Sequence, residues 1–402
     1  MKRLVMRISL RLFLILAVCV VLVVSIGTVL AVRSLQNDEE KESIVTGTFA
    51  YITEESVVVM RRDRVLVEVP RMSEVTDPRE YRMVWTHDGR YLAFFSDSRV
   101  RQEEPEDIKL IVVDAGTGAV RAVPCPHCDD FTPVREREIL VEVNRGAEFA
   151  VEHRLIMAGG DASVSAEAAA QFDVRVPRGQ YLVSGPEHII TSRYVDGAEE
   201  LRLTSLDGSR HEYFGRFDSN SYMPAAVSVD PGTGEPLFAV AFRTNPGSCG
   251  AFPIVLFRAD GTRADTDMSA AATNGIQKWE YGVTVHDLWT EPNGMFRAAL
   301  AATDCRSDDT GEAAGVKESN SAVYRLDPQA VWVRESFTPV TTLRSLDERT
   351  VVVLVENDCS GDLEPEEGAI LYCNTGTLAL ERDGERKVLR DDVVAISAPV
   401  RR

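Results

Sequence analysis

Short apolar runs of strand length recur along most of this chain at nearly constant spacing, and this repeat most limits what the chain can fold into. The runs are rich in β-branched and aromatic residues and are bounded by turn residues such as Asp-Gly pairs. Successive runs lie 43 to 60 residues apart. They are centred near Phe49, Leu92, Leu140, Ile189, Phe238, Ala298 and Val351. The pattern predicts an all-β repeat protein.

The period of the repeat predicts the architecture. Repeats of this length that contain several strands are typical of β-propellers, in which each repeat forms one four-stranded blade that buries its faces against its neighbours. Seven repeats predict seven blades within residues 45–402. Six or eight blades are the alternatives, because residues 147–176 show little strand pattern. Residues 34–44 are then a linker.

The repeat region lacks one strand at its start and has one spare strand at its end. The first repeat lacks an opening strand, since residues 48–52 lead directly into Val57-Val58-Val59. The C-terminus contains a spare strand at residues 393–400. We therefore expect the C-terminal strand to pair into the first blade.

One repeat carries a recognisable motif. Residues 83–95, MVWTHDGRYLAFF, resemble the strand-turn-strand motif of TolB-like, WD-related propeller repeats, and residues 110–118 resemble the strand and turn that follow it. His87 stands where the family usually has proline. The region after the N-terminal segment is similar to the secreted or membrane-anchored TolB-like propellers of high-GC Gram-positive bacteria. This resemblance implies the fold, whereas propellers as a class have many unrelated functions.

The N-terminal segment predicts export. Four basic residues (Lys2, Arg3, Arg7 and Arg11) precede an uncharged, largely apolar run at residues 12–32, which is long enough to cross a bilayer as a helix. Residues 1–33 are thus a signal anchor, or alternatively a signal peptide cleaved after Ala31. Both alternatives place the propeller outside the cytoplasm, either on a single membrane-spanning helix or as a secreted protein.

The net charge bears on the partners of the protein, and the number of cysteines bears on its disulfides. The formal net charge is -19, which repels phosphate backbones, so we expect no nucleic-acid partner. Six cysteines follow the N-terminal segment, and an even number in an oxidising compartment predicts disulfides. These cysteines are Cys125, Cys128, Cys249, Cys305, Cys359 and Cys373.

The sequence Cys125-Pro-His-Cys128 matches the active site of a thiol-disulfide oxidoreductase. Such an enzyme needs its first cysteine at the N-terminus of a long helix, which lowers the thiol pKa. Here a strand at residues 120–123 precedes the motif, and residues 129–133 are predicted to be a loop. We therefore expect a loop disulfide. The alternatives are thiol-disulfide exchange and a zinc site that includes His127, although no second paired motif completes four ligands.

The remaining four cysteines allow three pairings. We expect Cys249–Cys305 between adjacent blades and Cys359–Cys373 within one blade. Spacing alone leaves the connectivity open.

No catalytic motif accompanies the repeats. The sequence contains no Gly-x-Ser-x-Gly, His-Glu-x-x-His or Walker motif. Acidic residues cluster after one strand run, and Asp358, Asp362 and Glu364 are candidate Ca²⁺ ligands that lack the spacing of a calcium loop. No other cofactor is expected. The sequence favours a non-catalytic binding or scaffolding module for a protein or cell-envelope ligand. The alternative is a propeller hydrolase or lyase that uses channel-facing carboxylates on a small or sugar substrate.

Overall fold

The described part of the chain folds almost entirely into antiparallel β-strands. The computed structural model describes residues 47–400 apart from Glu54, Pro186, Gly197, Gly208 and Pro231 and the longer gaps 72–81, 97–107, 145–150, 160–179, 218–223, 243–252, 273–280, 305–316, 319–320, 337–339 and 357–374. These residues belong to one compact unit, Gly47–Arg402. The predicted N-terminal segment and linker lie outside them.

The strands follow one another in seven groups, which we call meanders 1 to 7. Meander 1 contains β1 (Thr48–Thr53), β2 (Ser56–Arg61) and β3 (Arg64–Pro70). Meander 2 contains β4 (Val84–Trp85), β5 (Tyr91–Phe95), β6 (Lys109–Asp114) and β7 (Val120–Pro124). Meander 3 contains β8 (Cys128–Val134), β9 (Glu138–Asn144) and β10 (Val151–Met157). Meander 4 contains β11 (Gln180–Ser184), β12 (His188–Val195), β13 (Ala198–Ser205) and β14 (His211–Phe217).

The second half of the chain repeats this order. Meander 5 contains β15 (Ala225–Val229), β16 (Pro236–Ala241), β17 (Ile254–Arg258) and β18 (Arg263–Asp265). A short helix, α1 (Ser269–Ala272), precedes the next group. Meander 6 contains β19 (Tyr281–Thr290), β20 (Phe296–Asp304), β21 (Lys317–Glu318), β22 (Ala322–Leu326) and β23 (Trp332–Arg334). Meander 7 contains β24 (Thr342–Ser345), β25 (Thr350–Glu356), β26 (Gly376–Arg382) and β27 (Glu385–Ser397).

The C-terminal strand belongs to two meanders. The first part of β27 pairs with β26 as the fourth strand of meander 7, and its last residues pair with β1. Partners in the second pairing include Ala50 with Ser397 and Ile52 with Ala395. The C-terminal residues thus supply the missing opening strand of meander 1, which confirms that expectation. Meanders 7 and 1 consequently form one seven-stranded sheet.

The repeat seen in the sequence matches the repeat of the structure. Each of the seven apolar runs lies in the second strand of its meander, counting the end of β27 as the first strand of meander 1. These second strands lie inside their sheets, and their side chains are buried on both faces because each sheet packs against the neighbouring meanders. This burial explains why they gave the strongest sequence signal.

The hydrophobic core is divided among the spaces between successive meanders. Seven clusters of buried side chains are present in the described residues, and each contains residues from two successive meanders, including meanders 7 and 1. In the core between meanders 4 and 5, the ring of Phe214 stacks on that of Phe257 at 4.5 Å between centroids. Sheets that bury both faces against neighbouring sheets are the architecture of a β-propeller.

The turn of the motif at residues 83–95 in meander 2 is closed by its own hydrogen bonds and is also bonded to the neighbouring sheet. The Asp88 carboxylate accepts hydrogen bonds from the Thr86 hydroxyl at 2.7 Å and from the Arg90 amide at 3.0 Å, which closes the turn between β4 and β5. The other oxygen of Asp88 accepts from Arg137 of meander 3 at 2.5 Å. Gly89 has φ +69°, a conformation that favours glycine.

One glycine in meander 7 leaves no room for a side chain. A Cβ at Gly376 would lie 2.4 Å from the Val355 carbonyl oxygen and 3.1 Å from Leu354 Cδ1. Because a backbone atom cannot move aside cheaply, we expect Gly376→Ala to lower the free energy of unfolding by about 2–3 kcal/mol. The matched control is Gly185→Ala, whose Cβ would meet its nearest atom at 3.7 Å. Urea unfolding of both variants measures the difference, and equal stabilities would contradict the expectation.

Candidate functional site

The connections between strands differ strongly between the two faces of the molecule. Within a meander, the connections from first to second and from third to fourth strand leave one face, which we call the hairpin face. In the described meanders these connections contain two to six residues. The connections from second to third strand leave the opposite face, because neighbouring strands are antiparallel. In meanders 2, 5, 6 and 7 they contain 12 to 19 residues, so we call this the long-connection face.

Hydrogen bonds between meanders support a common hairpin face. The Asp88 amide of meander 2 donates to the Glu136 carbonyl in the corresponding turn of meander 3, at 3.1 Å. The Ser228 hydroxyl at the end of β15 donates to the Gly294 carbonyl in the β19–β20 turn at 2.5 Å. Corresponding turns of successive meanders therefore lie side by side.

Most of the sequence-predicted site residues belong to the long connections. Cys249 follows β16, Cys305 follows β20, and Cys359 and Cys373 lie between β25 and β26. The acidic candidates Asp358, Asp362 and Glu364 share that last connection. All seven residues lie outside the described part of the chain, so their pairings and the Ca²⁺ site stay predictions. The described residues contain no group of three or more potential metal ligands.

First strands of successive meanders contact one another, and two carboxylates, one buried and one partly buried, connect some of them. The first, Asp130 on β8, is 2% exposed. It accepts hydrogen bonds from the Tyr181 amide of β11 at 2.7 Å and from Arg82, before β4, at 3.2 Å. The Arg82 guanidinium also donates to the Tyr181 carbonyl. Arg82, Asp130 and Tyr181, here called the Asp130 junction, thus connect meanders 2, 3 and 4.

A β-bulge in β8 orients the Asp130 side chain toward its partners Tyr181 and Arg82. The register between β8 and β9 shifts between Cys128, opposite Val143, and Asp130, opposite Glu142, so Asp129 is the extra residue. The Asp130 side chain also accepts from the Phe131 amide at 2.8 Å. The Tyr181 side chain is buried, and burial, followed by the nearby Glu142 and Asp130 carboxylates, raises its pKa well above the usual value.

Meander 6 repeats the arrangement. The register of β19 with β20 shifts between Val285 and Asp287, and the Asp287 side chain accepts from the Leu288 amide at 2.8 Å. The same carboxylate accepts from Thr342 and, at 2.5 Å, from Arg344, both on β24. The Arg344 guanidinium lies over the Trp289 ring, 5.3 Å from its centroid. We call Asp287, Thr342 and Arg344 the Asp287 junction; it connects meanders 6 and 7.

The geometry of both junctions is that of structural contacts. Each carboxylate is held by a guanidinium and by a donor on a neighbouring first strand, so its oxygens are engaged within the protein. Paired, hydrogen-bonded charges of this kind fix the relative positions of the strands that carry them. Neither junction was predicted from the sequence.

The Cys-Pro-His-Cys motif connects β7 to β8 at the long-connection face. The Cys125 and Cys128 sulfurs lie at disulfide distance, with 5.5 Å between the Cα atoms. Both side chains are buried, whereas His127 is exposed and has φ +62°. The Cys128 amide donates to the Cys125 carbonyl at 3.1 Å, which makes the motif a tight turn between two strands. The residues that follow form β8, without the helix that activates oxidoreductase cysteines.

The predicted loop at residues 129–133 is wrong, because these residues belong to β8. Two aspartates and a proline suggested a loop. Here Asp129 and Asp130 occupy the bulge, and Pro133 is tolerated because β8 is an edge strand of its sheet. A proline on an edge strand removes no hydrogen bond from the ladder when its nitrogen faces away from the partner strand.

No family model matches the chain, and no curated protein matches it in sequence. Among solved structures, the chain is similar to TolB from Acinetobacter baumannii, with 13% identity and a TM-score of 0.36, over 88% of this chain and 80% of TolB. It is similar to the β-propeller domain of the trilobed protease from Pyrococcus furiosus, with 12% identity and a TM-score of 0.42, over 84% and 87% of the two chains.

A third similarity is to the acylaminoacyl peptidase of Pyrococcus horikoshii, with 14% identity and a TM-score of 0.46. It covers 87% of this chain, which spans about half, 54%, of that peptidase. The class of the protein, an all-β propeller, rests on the meanders and the cores between them. We draw nothing about function from these three similarities.

The described residues include no helix that is long and apolar enough to span a membrane. The predicted span at residues 12–32 lies outside them.

Proposed function

We propose that this protein is a closed, seven-bladed propeller of the TolB-like type that binds a protein or cell-envelope ligand through its long-connection face. The observation that carries the proposal is the difference in connection length between the two faces. Four of the seven meanders have connections of 12 to 19 residues on one face, and the hairpin face has at most six. Long connections on a rigid scaffold are where binding residues concentrate.

The seven cores support the blade count and the closure of the ring. Each successive pair of meanders shares a hydrophobic cluster, and the pair formed by the last and first meanders shares one as well. In that cluster, Phe49 and Tyr51 of β1 pack with Leu354 of β25 and Ile396 of β27. Seven units with seven shared cores are what a closed ring requires.

The location that we propose is outside the cytoplasm, on a single N-terminal membrane helix or free after cleavage at Ala31. The basic residues before the apolar run at 12–32 support this orientation. The disulfide between Cys125 and Cys128 is consistent with an oxidising compartment. A binding module anchored in this way confines its ligand to the cell surface.

The test is a binding measurement on the full chain with isolated cell-envelope fragments as the probe. In the first variant, residues 357–375, the longest connection of meander 7, are replaced by Asp-Gly. The control variant carries alanine at Asp347, Glu348 and Arg349 in the hairpin-face turn of the same meander. We expect the first variant to bind at least about tenfold more weakly and the control to bind like the native protein.

Treating the fragments with a protease or with glycosidases before binding distinguishes a protein ligand from a glycan. Equal binding by the two variants would contradict the assignment of the face. Failure of the native chain to bind any fragment would contradict the binding function.

A further inference from the structure

We propose that the Cys125–Cys128 disulfide is a redox-sensitive constraint that holds the Asp130 junction together. Its two sulfurs lie in the core between meanders 2 and 3, among side chains such as Tyr91, Phe131 and Ile139. The disulfide closes the short connection by which the chain passes from the fourth strand of one meander to the first strand of the next. It therefore fixes where β8 begins.

The disulfide and the junction are adjacent in the chain. Asp130 lies two residues after Cys128, and the bulge at Asp129 lies between them, whereas β8 is paired with β9 on both sides of the bulge. On its other side β8 is an edge strand of its sheet. The backbone of Asp130 is held by the ladder, and the direction of its side chain depends on the shape of the bulge, which the disulfide borders at Cys128, and on its bonds to Tyr181 and Arg82.

Reduction moves the cysteines apart. A thiolate of a small dithiol attacks one cysteine sulfur and breaks the S–S bond, and its second thiol then resolves the mixed disulfide. Two electrons and two protons pass from the dithiol to Cys125 and Cys128, and the dithiol leaves as a cyclic disulfide. The two sulfurs, no longer bonded, separate to van der Waals contact, roughly 1.5 Å further apart.

A displacement of that size at the buried Cys128 sulfur, two residues before Asp130, is large beside the tolerances of the hydrogen bonds in the junction. The Tyr181 amide lies 2.7 Å from Asp130, and Arg82 lies 3.2 Å from it. Hydrogen bonds weaken steeply beyond their normal distances. Reduction should therefore weaken the connection among meanders 2, 3 and 4 while the strands themselves remain paired.

The molecule contains its own control. The Asp287 junction has the same bulge, the same bond from the following amide and the same kind of arginine partner, but no cysteine precedes its bulge on β19. A redox effect specific to the disulfide should reach the Asp130 junction and leave the Asp287 junction unchanged. General destabilisation should affect both.

The experiment is hydrogen exchange with mass spectrometry on the full chain, before and after reduction by dithiothreitol under native conditions. We expect the Tyr181 amide, in β11, to exchange about tenfold faster after reduction. The Leu288 amide, in β19, should change less than about twofold. A Cys125→Ser, Cys128→Ser double variant should show the same pattern without reductant.

Two results of this experiment would contradict the proposal. If neither amide changes in the fully reduced protein, the disulfide does not hold the junction, and the proposal is wrong. Equal acceleration of both amides would overturn it as well, because the disulfide would then stabilise only the whole domain. Free-thiol counting in the same samples confirms that reduction was complete.

Discussion

Removing residues 391–402 is expected to unfold the whole propeller cooperatively. The deletion takes away the strand that pairs with β1, together with the buried side chains of Val393, Val394 and Ile396. Burial of three such side chains contributes on the order of 6 kcal/mol, which is comparable to the total stability of a typical domain. It would also expose β1 as a long apolar edge strand, which favours aggregation.

The matched control is removal of residues 400–402, which follow the end of β27 and begin with the exposed Val400. We expect this shorter deletion to change the melting temperature by no more than about 2 °C. Thermal unfolding followed by circular dichroism compares the two deletions with the native chain. An unchanged transition in the longer deletion would show that the C-terminal strand does not stabilise the domain.

Asp130→Ala is expected to have the largest effect of any single substitution at the junctions, about 3 kcal/mol in the free energy of unfolding. The substitution leaves the buried Tyr181 amide without its 2.7 Å acceptor and removes the carboxylate that pairs with Arg82. Asp130→Asn retains one acceptor oxygen and should lose roughly half as much.

Asp129→Ala is the control for this prediction, because Asp129 is the extra residue of the same bulge and its side chain is partly exposed. Its cost should stay below about 0.5 kcal/mol. Guanidinium unfolding of the three variants gives the comparison. If Asp129→Ala and Asp130→Ala lowered the free energy of unfolding equally, the bulge would account for the loss, and the hydrogen bonds of the Asp130 junction would not contribute to stability.

The β-fold, the position of the repeat and the C-terminal strand were predictable because each leaves a local sequence signal. Second strands such as β25 are buried on both faces and therefore read as continuous apolar runs. The spare strand at residues 393–400 was visible because its Val-Val-Ala-Ile run follows the last complete repeat. The Cys125–Cys128 disulfide was favoured because no helical pattern follows the motif.

The junctions were not predictable because they join residues that are far apart in the chain. Asp130 and its donor Tyr181 are 51 residues apart, and Asp287 and Arg344 are 57 apart. A partial signal exists in β19, where buried residues alternate through Val283 and Val285 and then shift phase to Leu288. Such a phase shift indicates a bulge, but it does not show which neighbouring strand the bulged carboxylate contacts.

Closure of the ring by the C-terminal strand is tested most directly by an engineered disulfide. Ala50 and Ser397 are directly opposite each other on β1 and β27, so Ala50→Cys with Ser397→Cys places two thiols within bonding reach. The control pair, Val65→Cys with Ser397→Cys, lies three strands apart, roughly 14 Å at the usual strand spacing. Under mild oxidation, peptide mapping should recover residues 50 and 397 in one disulfide-linked peptide and no linked peptide from the control pair. Free thiols at both positions in a folded, fully oxidised sample would contradict a ring closed by its C-terminal strand.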